Sequence, residues 1–87
     1  VEQLEFTVKN SSFIYKITFS FLERNDERIN ERISINFANG DKFEYLVGLK
    51  YCNIDGENLF NEMISSESVG KFWHKHFKNK IEFKRVS

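Results

Sequence analysis

Phe13, Tyr15, Ile17, Phe19 and Phe21 occupy every second position of one continuous run. On a helix such a set would scatter round the axis. On an extended strand it shares one face, so this segment reads as a strand with one apolar side. The same period recurs in Leu4, Phe6 and Val8, in Ile29, Ile33, Ile35 and Phe37, and in Phe43, Tyr45, Val47 and Leu49. Four such runs in succession, in a chain without proline, imply consecutive antiparallel hairpins.

Parity constrains the turns, because residues directly opposite each other share a face and a slip of one residue flips every side chain. Keeping odd positions together between the third and fourth strands needs an odd loop, and Ala38-Asn39-Gly40 fits a three-residue turn with Gly40 left-handed. Ile35 is then expected opposite Phe43, and Ile33 opposite Tyr45. Between the first two strands the even-to-odd switch needs an even loop, which Lys9-Asn10-Ser11-Ser12 supplies. That register pairs Val8 with Phe13 and Leu4 with Ile17. Glu23 to Arg28, all polar or charged, read as a solvated loop.

After Lys50 the period becomes helical. Leu59, Phe60, Met63 and Ile64 mark a short helix over about Gly56 to Ser65, with Asp55 as its N-cap. Val69, Phe72, Trp73, His76 and Phe77 form the apolar stripe of a second helix, capped by Ser66 or Ser68 and ended near Asn79. Ile81 and Phe83 alternate with polar neighbours in a closing strand. The expected architecture is one α+β domain over residues 1–87: an antiparallel β-meander of four strands plus a C-terminal strand, with two short helices packed on one face. At 40% hydrophobic and 16% aromatic, large rings supply most of a core that burial alone has to stabilise, since Cys52 is the one cysteine and no internal disulfide can form.

Thirteen Lys plus Arg balance thirteen Asp plus Glu, which argues against a polybasic nucleic-acid coat. No run reaches the roughly 18 apolar residues of a membrane span and no leader pattern opens the chain, so the expected setting is cytoplasmic, without a membrane. Charge is nonetheless segregated: residues 1–70 carry seven basic and twelve acidic side chains, whereas residues 71–87 carry six and one. On the second helix Lys71, His74, Lys75 and Lys78 fall in one solvent-facing row, suited to phosphate or to an acidic protein surface. The opposite face of the sheet, with Ile14, Lys16, Thr18, Ser20, Leu22, Arg32, Ser34 and Asn36, offers no rings for base stacking.

Catalytic and metal readings find little support. His74 and His76 are two apart, about 200° round a helix, and cannot share one ion, so neither a metal nor a cofactor is expected. Cys52 with a histidine makes a nominal nucleophile and base without an orienting third group. Glu31 is the more pointed case, a charge at an inward position between Ile29 and Ile33. It reads as a guard against edge association or, more sharply, as a binding anchor.

The expected register leaves Thr18, Phe19, Ser20, Phe21 and Leu22 without a neighbour on the first strand's side, an open edge for a partner strand or for a second copy in a homodimer unless the closing strand or residues Val1 to Gln3 fill the gap. The sequence thus points to a non-enzymatic protein-interaction module that docks on another protein through that edge, steered by Lys71, His74, Lys75 and Lys78, in the manner of small inhibitors, antitoxins, immunity proteins and phage regulators. The alternative is a nucleic-acid-binding module that places the same basic row on phosphates.

Overall fold

The computed structural model describes residues 2–9 and 11–86. Five strands form one antiparallel sheet in sequence order: β1 (Glu2–Thr7), β2 (Ile14–Arg24), β3 (Glu27–Phe37), β4 (Lys42–Leu46) and β5 (Phe83–Arg85). Three helices, α1 (Leu49–Cys52), α2 (Gly56–Ile64) and α3 (Val69–His76), lie between β4 and β5 in the chain. The fold is α+β, as the alternating and helical periods imply. The four-residue α1 is additional, because β4 stops at Leu46 rather than running on through Leu49.

The β3–β4 turn follows the parity argument. Ile35 faces Phe43, Ile33 faces Tyr45, and Gly40 has φ 98°. Asp55 Oδ1 accepts from the Asn58 amide at the start of α2, and Ser68 Oγ accepts from the Lys71 amide at the start of α3. Beneath the helices Ile17, Phe19, Ile33, Ile35, Tyr45, Met63 and Phe77 are almost wholly buried. Phe60 of α2 lies on Phe19 with ring centroids 6.0 Å apart, and Phe77 meets Tyr45 edge-on at 4.9 Å.

Three expectations change. First, β1 pairs with β2 two residues further along than expected: Leu4 opposes Phe19, Gln3 opposes Ser20 and Glu2 opposes Phe21. A slip of two keeps every side chain on its expected face, so alternation could not reveal it. Asn10 of the expected loop lies outside the described residues.

Second, Glu23 to Arg28 are not a loop. The strands continue to Arg24 and resume at Glu27, joined by Asn25 and Asp26 with φ 53° and 62°. Such a two-residue turn matches the twist of its strands, and Asn and Asp tolerate the left-handed region better than most residues.

Third, two irregularities change the phase of β2 and β3. One lies between Ile14 and Lys16, with Ile14 opposite Phe37. Ile14 is therefore fully buried, while Phe13 and Tyr15 are 40% and 47% exposed. The other places Phe21 against Asn30 and Glu31, with Asn30 at φ 53°, and sets Ile29 opposite Leu22. A bulge adds a residue to one strand alone and so reverses inward and outward beyond it.

Candidate functional site

The expected docking edge is filled. Residues 18–21 are paired with β1 on one side, and the strand's other neighbour is β3. Phe19 is fully buried, Phe21 and Thr18 nearly so, and Ser20 and Leu22 are half-buried. Of the expected template at Thr18–Leu22, residues 18–21 are not free, because Glu2–Glu5 pair with them. The open sheet face is polar, with Thr18 beside Ser34, Ser20 beside Arg32 and Lys16 beside Asn36. It carries no ring in those rows and makes a poor stacking platform.

The basic row is assembled in part. Lys71, His74 and Lys75 are exposed and share an open depression of about 540 Å³ with Ser11, Ser12 and Ser68. Two of these serines are already occupied as acceptors: Ser11 Oγ takes the Phe13 and Ile14 amides, and Ser68 Oγ caps α3. Lys78 lies beyond the end of α3 and its ammonium stands 6.0 Å from the Trp73 ring centre, drawn towards the indole and away from the depression. His76 stacks on Phe72 at 4.2 Å. The cysteine and histidine are not brought together as a catalytic pair: Cys52 Sγ points to the carbonyls of Leu46 and Gly48, while His74 lines the depression at the opposite end of β2. Among the described residues no group of three or more His, Cys, Asp or Glu is placed to hold a metal, and no helix is long and apolar enough to cross a membrane.

A deeper feature lies at the far end of the sheet. The β2–β3 tip and α1 enclose a cleft of about 680 Å³, walled by Ile29, Leu46, Val47, Leu49 and Tyr51 with Glu31 and Asp55 among its lining. Its construction follows from two glycines. Gly48 has φ 121°, a conformation that L side chains rarely adopt, and a Cβ there would lie 2.8 Å from Glu31 Oε2. A Cβ on Gly56 would lie 3.3 Å from Glu31 Oε1, and closer still to Val47 and Phe19. Glu31 thus occupies space that side chains at positions 48 and 56 would otherwise take. The chain closes round it through the Val47 amide on the Glu31 carbonyl at 3.0 Å and the Gly48 amide on the Ile54 carbonyl at 2.8 Å.

Both cations that line the cleft are already paired. Arg28 donates to Glu57 of α2 at 2.6 Å while its guanidinium covers the Phe21 ring at 4.3 Å, and Lys50 donates to Glu27 at 2.9 Å. The Glu57 hydrogen bond pushes Arg28 above its usual value. Among the described residues Glu31 has no ion-pair partner within 4.0 Å. Loss of hydration, with the Asp55 charge second and Glu57 adding less, raises the Glu31 pKa above the ordinary glutamate value against the opposing pull of Arg28. Tyr51, 55% exposed on the rim, donates to Glu82 at 3.1 Å, and that bond, then the carboxylate's charge, raises the phenol.

Sequence reading singled out Glu31 but missed Gly48, Gly56 and α1, the parts that make a cleft around it. A charged residue at an inward position was the available signal, and nothing in the alternation located its partners. No family model and no curated protein matches the chain.

Proposed function

We propose that this chain is a non-enzymatic protein-binding module that docks on another protein through the cleft between the β2–β3 tip and α1. The observation that carries the reading is the rim: Leu46, Leu49 and Tyr51 are 37%, 63% and 55% exposed beside one cleft. Large apolar side chains gathered at one concave place mark an interaction surface, whereas scattered ones do not. A small-molecule pocket buries most of its ligand's surface. Here the rim side chains Leu49 and Tyr51 are more than half exposed, which suits contact with a protruding segment of a protein.

The test compares capture of partners from a cell lysate by the wild-type chain, Leu49→Asp and Lys75→Glu. A partner retained by Lys75→Glu and lost with Leu49→Asp supports the reading; one unaffected by Leu49→Asp removes the cleft as its docking place.

A second reading, contact with nucleic-acid phosphates, is favoured by Lys71, His74 and Lys75 lying round one depression. It requires affinity for a DNA or RNA oligonucleotide to fall linearly with salt on logarithmic axes and to weaken in Lys71→Glu. An oligonucleotide unshifted at low salt excludes it.

A further inference from the structure

Resting on that docking reading, we infer that the cleft takes a cationic side chain, an arginine flanked by apolar residues in a partner protein, with Glu31 as the carboxylate that receives it. Charge complementarity sets the occupant. Glu31 and Asp55 both line the cleft, and the two cations beside them, Arg28 and Lys50, are paired with Glu57 and Glu27. Glu31 is left without an ion pair among the described residues, in a position fixed by the two bare glycine backbones behind it. An incoming guanidinium would supply the missing partner.

Arginine fits better than lysine for two reasons. Its planar fork matches a carboxylate with two parallel N–H donors, and it tolerates loss of water more readily than an ammonium. It also binds aromatic faces, and the Tyr51 ring lines the cleft with its hydroxyl tied to Glu82. Leu46 and Leu49 then offer apolar surface to the residues on either side of the arginine. Loss of hydration, then the charges of Asp55 and Glu57, now favours the protonated form of Glu31, and an arriving cation would stabilise the ionised form instead. Binding is therefore expected to weaken as the pH falls and Glu31 takes up a proton.

The experiment titrates the isotopically labelled chain with acetyl-Leu-Arg-Leu-amide and with the same peptide carrying neutral citrulline, following backbone amide signals. The arginine peptide is expected to shift the amides of Gly48, Leu49, Tyr51 and Gly56, with affinity at least tenfold above that of the citrulline peptide and reduced at least tenfold in Glu31→Gln. Equal affinity for the two peptides, no binding of either, or shifts centred on Lys71 to Lys75 would each overturn the inference. The broader reading fails separately: a captured partner lost with Leu49→Asp and unchanged in Glu31→Gln leaves docking at the cleft intact and removes the arginine anchor alone.

Discussion

The Trp73 indole donates a 2.8 Å hydrogen bond to the hydroxyl of Tyr45, joining α3 to β4. Tyr45 is 1% exposed, and its burial raises the phenol above its ordinary value of 10.0. The bond lets a polar hydroxyl lie in an apolar layer. Tyr45→Phe should leave the indole N–H without its partner and cost about 1 kcal/mol, measured by urea unfolding. The alkaline limb gives a second readout. A folded-state pKa above the unfolded one contributes stability that is complete below pH 10 and is lost as the pH rises further through the folded value. Stability of Tyr45→Phe should therefore fall less steeply above pH 10 than that of the wild type.

Gly48→Ala and Gly56→Ala should both destabilise, for different reasons. At position 48 the positive φ is unsuited to alanine and the new methyl meets the Glu31 carboxylate, a backbone cost on the order of 1–3 kcal/mol. Position 56 is helical, where alanine is favoured over glycine by about 1 kcal/mol. Its Cβ would nonetheless meet Val47 Cγ2 at 2.7 Å and Phe19 Cε1 at 2.8 Å, both from buried side chains. Overpacking of about 1–3 kcal/mol should outweigh the propensity gain. An increased melting temperature for Gly56→Ala would contradict this account.

Glu31→Gln should stabilise the free protein at neutral pH by less than about 1 kcal/mol. The folded state raises this carboxyl above the ordinary 4.5. Its ionisation therefore opposes folding, and stability attributable to this group is complete below pH 4.5 and declines as the pH rises through the folded value. The difference between glutamine and glutamate should shrink towards acid pH in parallel melting curves.

Asp26→Gly should stabilise the hairpin by about 0.5 kcal/mol, since Asn-Gly is the preferred pair for a two-residue turn with both central residues left-handed. Asp26 has φ 62° after Asn25 at 53°. Chemical denaturation would register the gain, and a loss would mean that the aspartate makes a contribution beyond its backbone conformation.

Much of the frame was legible because alternation is a local property. The pairings of Ile33 with Tyr45 and Ile35 with Phe43 and the Asp55 cap required only spacing and turn chemistry. What was hidden lies between elements. The β1 register differs by two residues, a change invisible to inside-outside patterning. The bulges at Tyr15 and at Asn30–Glu31 exchange faces without a glycine or proline to announce them. Glu31 could be recognised as out of place in an apolar row, yet its setting depends on Gly48 and Gly56, which approach it only once β3, α1 and α2 are packed.

The glycine floor has an evolutionary corollary. Position 48 lines the cleft and position 56 lies behind Glu31, and a side chain added at either would meet that carboxylate. Retuning what the hollow recognises falls to the outer ring, where replacing Leu49 or Tyr51 would alter shape and chemistry over the same frame.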